Sequence, residues 1–274
     1  MPAGNRQAVL RFDHVSVAFG DVEALSGVSF EAFEGESRVI LGAAGSGKTV
    51  LLKAALGLVK PDSGEVYAFG ENLTALSETQ LFDIRSKIGM LFQEGALFDS
   101  LTIEENVAYP LLNQKSIHCA PQQVLPRVEE ALEFVELGGT LEKFPSELSG
   151  GMRRRAAIAR AVVTEPPLVL YDSPTAGLDP ITAHTIIALL IKERDVKQTT
   201  TLLVTQRYQD GNLIANFRYN SKQGRLEPAR DGAGRAMPTT FMVLREGRLI
   251  FEGGQDELEQ SKDSYISKFV KQRV

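Results

Sequence analysis

The stretch Gly42-Ala43-Ala44-Gly45-Ser46-Gly47-Lys48-Thr49 decides the fold. It matches G-x-x-x-x-G-K-[ST], preceded by the short apolar run Arg38–Leu41 and followed by Val50–Leu58, which has helical character. A strand that runs into glycines and then into a helix is the setting in which this pattern cradles phosphate. Glycines let backbone N–H groups wrap an anion closely, and the helix N-terminus adds favourable dipole charge. In that reading the Lys48 amine reaches the β- and γ-phosphates of a nucleotide, and the Thr49 hydroxyl ligates Mg²⁺. Eight positions in the right setting argue against a glycine-rich turn with an incidental lysine.

Working outward, Leu168–Asp172 is an apolar strand ending in a carboxylate, placed to hold Mg²⁺ through water. The strand Thr199–Thr205 follows after a helical stretch over Ile181–Ile191, and such alternation marks a parallel sheet. At the N-terminus, Leu10 and Phe12 alternate with polar neighbours, and Val15, Val17 and Phe19 resume one residue out of phase. That slip predicts a bulge between two paired segments. Val28–Phe33 is a further extended stretch. A mostly helical block spans about 75–165, with one helix through Leu81, Ile84 and Ile88 and another beginning around Pro126. Ser149–Val163 also reads as a helix, and Phe241–Leu244 with Arg248–Phe251 flank Glu246-Gly247 as a hairpin. The most loop-like segment is Ser221–Pro238.

The chain has 274 residues and a net charge of −5, so bulk electrostatics disfavour a general nucleic-acid binder. With 43% hydrophobic residues it has enough apolar side chains for a core, and no apolar run reaches a bilayer's thickness. The start, MPAGNRQ, has no hydrophobic stretch after a basic segment, and the single Cys119 excludes an internal disulfide. A cytosolic location is the expectation.

Between the two phosphate-site strands lies Leu148-Ser149-Gly150-Gly151-Met152, which resembles the signature of ATP-binding-cassette (ABC) ATPases. Ser149 falls 101 residues after Lys48 and 23 before Asp172. Gln93 in Leu91-Phe92-Gln93 resembles the family's Q-loop glutamine, and Ala176-Gly177-Leu178-Asp179 its D-loop. Phe19 sits where these proteins place an aromatic ring against adenine, although a strand-core role competes. The resemblance runs from Leu10 to Phe251. It implies an α/β P-loop NTPase of the ABC type with an antiparallel β edge and a helical signature subdomain. It also implies ATP and Mg²⁺ as cofactors, with Thr49, Gln93 and Asp172 around the metal. In the family two cassettes meet head to tail, so that the Ser149-Gly150-Gly151 face and Asp179 of one chain close over nucleotide held by the other. A single cassette therefore implies a second ATPase subunit, identical or not. The expected domain covers 8–253, with a loop insertion at about 221–238 and a helical tail over 254–274.

A narrower resemblance rests on Ile88-Gly89-Met90-Leu91-Phe92-Gln93-Glu94-Gly95-Ala96-Leu97-Phe98, on Leu101–Val107, and on Pro145–Leu148 leading to Arg154-Arg155-Ala156-Ala157. These look like the ATPase of Mla/MCE-type phospholipid transporters. That likeness implies an integral-membrane permease as partner, an MCE-type lipid-binding protein within the complex, and a place at the cytoplasmic face of a bacterial inner membrane.

The chain departs from the family in its catalytic centre. The residue after Asp172, normally a glutamate that activates water, is Ser173. After Thr201–Thr205 a histidine is expected and Gln206 stands there instead. Loss of a general base typically costs about 10²–10⁴-fold in rate, while nucleotide binding survives. Two assemblies fit: a slow homodimer, or an asymmetric dimer in which this chain lends its Ser149–Gly151 face to an active partner. A DNA- or ribosome-directed ABC protein fits less well. The first needs a long coiled coil between loop and signature, the second two cassettes in one chain. Arg153, Arg154, Arg155 and Arg160 read as solvated surface rather than an anion patch. Glu104 and Glu105 lie where the family receives a permease helix, but also suit a helix start.

Overall fold

The computed structural model describes residues 8–229 and 238–271. The chain opens with β1 (Ala8–Phe19), β2 (Val22–Phe33), β3 (Ser37–Leu41) and α1 (Lys48–Ala55). Next come β4 (Ser63–Ala68), β5 (Glu71–Asn72), α2 (Glu78–Arg85) and β6 (Ile88–Leu91). A helical stretch contributes α3 (Ile103–Asn113), α4 (Pro121–Phe134) and α5 (Gly150–Val162). Alternation resumes through β7 (Leu168–Asp172), α6 (Pro180–Lys197), β8 (Thr200–Thr205) and α7 (Tyr208–Asn216). The last described elements are β9 (Phe217–Asn220), β10 (Arg225–Pro228), β11 (Thr239–Arg245), β12 (Arg248–Gly253), α8 (Gln255–Glu259) and α9 (Ser264–Lys271).

A six-stranded sheet in the order β12-β11-β3-β8-β7-β6 carries the site. From β11 to β6 every pairing is parallel, and β12 adds an antiparallel edge. Its central strands are continuous apolar runs because both faces are covered. Val39 and Leu41 join the core shared with α5 and α6, whereas Ile40 points to the core under α1. Val169 and Tyr171 likewise face one side, Leu168 and Leu170 the other. A second, antiparallel sheet in the order β2-β1-β4-β5 closes over the α1 side with Leu10, Phe12, Val15 and Val28.

The phase slip in β1 is a real irregularity. The register with β2 shifts between Phe12 and Val15, and His14 adopts φ 50°. Gly64 of β4 faces this kink, and a Cβ there would lie 2.3 Å from the His14 carbonyl oxygen. At the other end of the chain, Glu246 (φ 49°) and Gly247 (φ 75°) form the two left-handed positions of a tight hairpin turn between β11 and β12.

Three local expectations need correction. Ile88 continues the helical spacing of Leu81 and Ile84, yet it begins β6 and pairs with Leu168. Helix α2 stops at Arg85 because the next residues are drawn into the sheet edge, where Gly89 packs so close that a Cβ would meet Ala161 O at 2.3 Å. Pro126 is inside α4; Pro121, free of any hydrogen-bonding duty at the first helical position, starts it. Within Ser221–Pro238, Arg225–Pro228 is a strand paired with Phe217–Asn220. Residues 230–237 of that segment lie outside the described residues. No helix among the described residues is long and apolar enough to cross a membrane.

Candidate nucleotide site

Sheet register gathers the site. Leu41 pairs with Thr205, and Asp172 pairs with Val204, so the glycine loop, Asp172 and the 205–206 turn leave the sheet at the same end. Ligands of open α/β sheets bind at this carboxyl end. Gly47 caps α1 with φ 102° and offers no side-chain acceptor, and the first turn has no acidic residue. The opening N–H groups of α1 therefore face outward without an internal partner, as an anion requires. The loop is a cradle that side chains would fill: a Cβ on Gly47 would lie 2.3 Å from Ala24 O, and one on Gly42 would lie 2.4 Å from Ser46 Oγ. Gly45 (φ 75°) sits at the outer bend beside Ala44.

Lys48 is buried, and its ammonium donates to Gly42 O (2.8 Å), Ala43 O (2.6 Å) and Ser46 Oγ (3.3 Å). Burial lowers its pKa to about 8, against the opposing pull of Asp172. The Thr49 hydroxyl donates to Asp172 Oδ2 at 2.8 Å, so the two expected metal ligands already touch. An oxygen-only pair of hydroxyl and carboxylate suits Mg²⁺, which retains most of its waters. Gln93 is exposed two residues past Leu91, whose pairing with Tyr171 brings it to the Asp172 end. Phe19, at the tip of β1, is 55% exposed rather than part of the core.

Ser149 and Asp179 cap two further helices. Ser149 Oγ accepts the Met152 N–H at 3.2 Å, and Asp179 Oδ1 accepts the Ile181 and Thr182 N–H groups at 3.0 Å each. With Gly150 and Gly151 they line a cleft of about 540 Å³ whose walls, among the described residues, include none of the phosphate loop. Beside it Ile181 is 81% exposed. This cleft and the Gly42–Thr49 loop thus lie on different walls of the chain.

The family model described as ABC transporter matches residues 25–176. The chain belongs to the ABC transporter family. It is 31% identical to the intermembrane phospholipid transport system ATP-binding protein MlaF of Haemophilus influenzae, covering 97% of this chain and 91% of that protein. MlaF of Escherichia coli K12 is 39% identical over 93% of this chain and 86% of its own length. The methionine import ATP-binding protein MetN of Rhizobium johnstonii reaches the same 39%, but over 78% of this chain and 58% of its own. Among solved structures, the dimeric ATP-binding cassette MJ0796 in a post-hydrolysis state with ADP and Pi superposes with a TM-score of 0.73 at 30% identity, covering 89% of this chain and 97% of that one. The chain is thus an ABC transporter ATP-binding subunit, with ATP and Mg²⁺ as its cofactors.

The wall beside the Thr49–Asp172 pair lacks the glutamate and histidine that the family resemblance implies. Ser173 adopts φ 48°, its N–H donates to Val204 O (2.9 Å), and its hydroxyl donates to Asp172 Oδ1 at 3.0 Å. Ser173, Thr205 and Gln206 line a cavity of about 220 Å³ with Thr175 and Arg207, and no carboxylate is among its lining residues. Asp210, next to this cavity, is buried and fully engaged: Oδ2 accepts the Thr175 hydroxyl (2.6 Å) and the Thr205 hydroxyl (2.7 Å), and Oδ1 lies 3.6 Å from Arg207 Nε. Burial raises its pKa, against the two hydroxyls and Arg207. Asp210 links the segment after Asp172 to the turn after β8.

Of the four arginines of α5, Arg153 is exposed as its spacing implies, but Arg154, Arg155 and Arg160 are not solvated surface. Arg154 is buried and donates to Gln93 O, with Phe92 O and Ala176 O at 3.5 Å. Burial lowers its pKa, while Glu94 and Asp172 counteract. Arg160 donates to Gly95 O at 2.8 Å and stacks over Phe98, and Arg155 reaches Val135 O and Glu136 O at 3.2 Å. Helix α5 lies along residues 92–98, where Arg154 and Arg160 satisfy carbonyls that the irregular backbone leaves open. The sequence signal for this is absent, because only the tertiary approach of that segment creates the acceptors. Beside it a groove of about 290 Å³ is lined by Phe92, Phe98, Tyr109 and Arg160. The Phe98 and Tyr109 rings lie 4.8 Å apart and are each 42% exposed. Glu105 is spent on the helix start, accepting the Thr102 N–H at 2.7 Å.

Proposed function

We propose that this chain is the ATP-binding subunit of an envelope phospholipid transporter, one in which ATP chiefly clamps two cassettes together and is hydrolysed slowly. The observation that carries the slow-turnover reading is the composition of the cavity beside the metal pair. The touching Thr49–Asp172 oxygens support Mg²⁺ binding there, whereas the water-side wall presents Ser173 and Gln206 and no carboxylate or imidazole. A serine hydroxyl already donating to Asp172 is neither basic enough nor free to take a proton from water. Gln206 offers a neutral hydrogen bond to phosphate or water in place of an imidazole.

In this reading the cleft lined by Ser149, Gly150, Gly151 and Asp179 closes over ATP held by the Gly42–Thr49 loop of a second subunit. The dimeric state of MJ0796 with ADP and Pi supports that arrangement. The aromatic groove of Phe92, Phe98 and Tyr109 lies beside the Gln93 segment, which supports its use as the seat of a permease segment. ATP binding and permease position would then both act on Gln93. Similarity to MlaF over nearly the whole chain supports phospholipid as the cargo, an MCE-type lipid-binding protein as the further partner, and the cytoplasmic face of a bacterial inner membrane as the place of work. The MetN relative, equally identical over a shorter span, favours a second reading in which the substrate is a different small molecule.

Phosphate release from the full chain, compared with Ser173→Glu, Gln206→His and the double variant, tests the catalytic reading. The wild type binds ATP with slow turnover, and the double variant gains about 10²-fold or more. Robust wild-type turnover that co-purifies with the chain through successive steps would falsify it. Isolation of the complex from membranes then separates the assemblies: a permease with this cassette alone means a homodimer, and a second cassette bearing a glutamate means asymmetry. Lipid identified in that complex decides between phospholipid and another cargo.

A further inference from the structure

The C-terminal helix reaches the phosphate loop. Tyr265 of α9 lies 222 positions from Ala43, yet its hydroxyl oxygen accepts the Ala43 N–H at 2.9 Å and its proton is directed to Leu244 O at 3.3 Å. The ring is held on two sides, with the Arg245 guanidinium 5.3 Å from its centre and Phe269 packed edge-on at 5.2 Å. The helix itself is anchored. Asp263 Oδ1 accepts the N–H groups of Tyr265 (2.7 Å) and Ile266 (3.1 Å), while Ile266 and Phe269 are buried in the main core.

This bond fixes one peptide plane from both ends. The Gly42–Ala43 peptide gives its N–H to Tyr265 and its Gly42 carbonyl to Lys48, whose ammonium also holds Ala43 O. The Ala43 carbonyl in turn accepts the Ser46 N–H at 3.2 Å, the bond that closes the loop. Leu244 O, the acceptor of the tyrosine proton, is also the atom a Cβ on Gly42 would strike at 2.6 Å. Tyr265 therefore bridges the end of β11 and the start of the loop. A loop held in one arrangement before nucleotide arrives loses less conformational entropy on binding.

We propose that Tyr265 is a positioning residue for nucleotide binding: through the Ala43 N–H, the docked C-terminal helix holds the phosphate loop ready for ATP, and lifting that helix weakens the site. The proposal rests on the assignment of Gly42–Thr49 as the nucleotide loop. Any subunit that draws α9 off its seat would lower ATP affinity without touching the nucleotide.

Titration of the full chain with a fluorescent ATP analogue tests this. Tyr265→Phe keeps the ring and removes the hydroxyl; it weakens binding about threefold to tenfold, the worth of one hydrogen bond. Ala43→Pro removes the donor and weakens binding to a similar degree, and the double variant is no weaker than either single change. Amide exchange across residues 42–47 is faster in Tyr265→Phe, which reads the same bond should Ala43→Pro fail to fold. Wild-type affinity with unchanged exchange in Tyr265→Phe overturns the proposal, as do additive losses in the double variant. Lys48→Ala separates the underlying assignment: retained ATP binding there sinks the loop reading itself, whereas lost binding there with a silent Tyr265→Phe sinks only the tyrosine's role.

Discussion

Replacing Glu193 by glutamine stabilises this protein above neutral pH and leaves it unchanged near pH 4.5. Glu193 lies near the end of α6 at 2% exposure, with Oε1 accepting the Thr199 hydroxyl at 3.0 Å. Burial raises its pKa from 4.5 to about 7; the Thr199 hydroxyl and Lys197 oppose the rise, and Glu165 adds to it. Close by, the Tyr171 hydroxyl is buried with no hydrogen-bond partner among the described residues, and burial, helped by the Glu193 charge, pushes its pKa well up. The sign follows from proton counting. Below pH 4.5 the carboxyl is neutral in both folded and unfolded chains and contributes nothing. Between pH 4.5 and 7 the unfolded chain releases the proton while the folded chain keeps it, so stability falls by about 1.4 kcal/mol per pH unit. Above pH 7 the folded chain also ionises and the penalty levels off at roughly 3 kcal/mol. Glutamine retains the oxygen that Thr199 needs and never ionises. Glu193→Gln therefore melts roughly 6–12 °C higher at pH 8, using about 2–4 °C per kcal/mol for a chain of this size, with the gap closing toward pH 4.5. Thermal denaturation followed by circular dichroism from pH 4.5 to 8.5 measures it. A constant offset at every pH, or a variant less stable at pH 8, refutes the assignment of a neutral buried acid.

Gly47→Ala forces a side chain into a φ of 102° and within 2.3 Å of Ala24 O; nucleotide titration shows at least about a 100-fold loss of ATP affinity, with the far-ultraviolet spectrum preserved. Asn106 is fully buried and its side chain bonds Phe98 N, Phe98 O, Leu101 O and Thr102 O. Asn106→Ala leaves those groups unpaired and costs about 3 kcal/mol in urea unfolding. Arg154→Met releases the Gln93 and Phe92 carbonyls, so amide exchange across 92–97 accelerates; global stability moves by less than about 1 kcal/mol, because losing a buried charge offsets the lost bonds.

Much of the architecture was legible because its signals are local. The glycine loop needs φ values and close approaches that only glycine allows, so Gly42, Gly45 and Gly47 write the site into consecutive positions. The central strands announce themselves as unbroken apolar runs, and the bulge in β1 shows as a slipped alternation at Phe12–Val15. Local signals also misled where two structures share one pattern. Ile88 fits a helical spacing and a strand equally well, and only its pairing with Leu168 settles the matter. Pro126 looks like a helix start until Pro121 is seen to occupy that position.

By itself, then, the sequence determined the family, the phosphate loop with Lys48 and Thr49, and the two substitutions at Ser173 and Gln206. Each of these depends on residue identity at short spacing. Tertiary structure alone decided how distant groups meet: Arg154 on the carbonyl of Gln93, Asp210 between Thr175 and Thr205, and Tyr265 on the N–H of Ala43. Hydrogen bonds of this kind join groups whose separation along the chain carries no pattern. They form because packing the sheet between two cores brings the chain's end against its nucleotide loop.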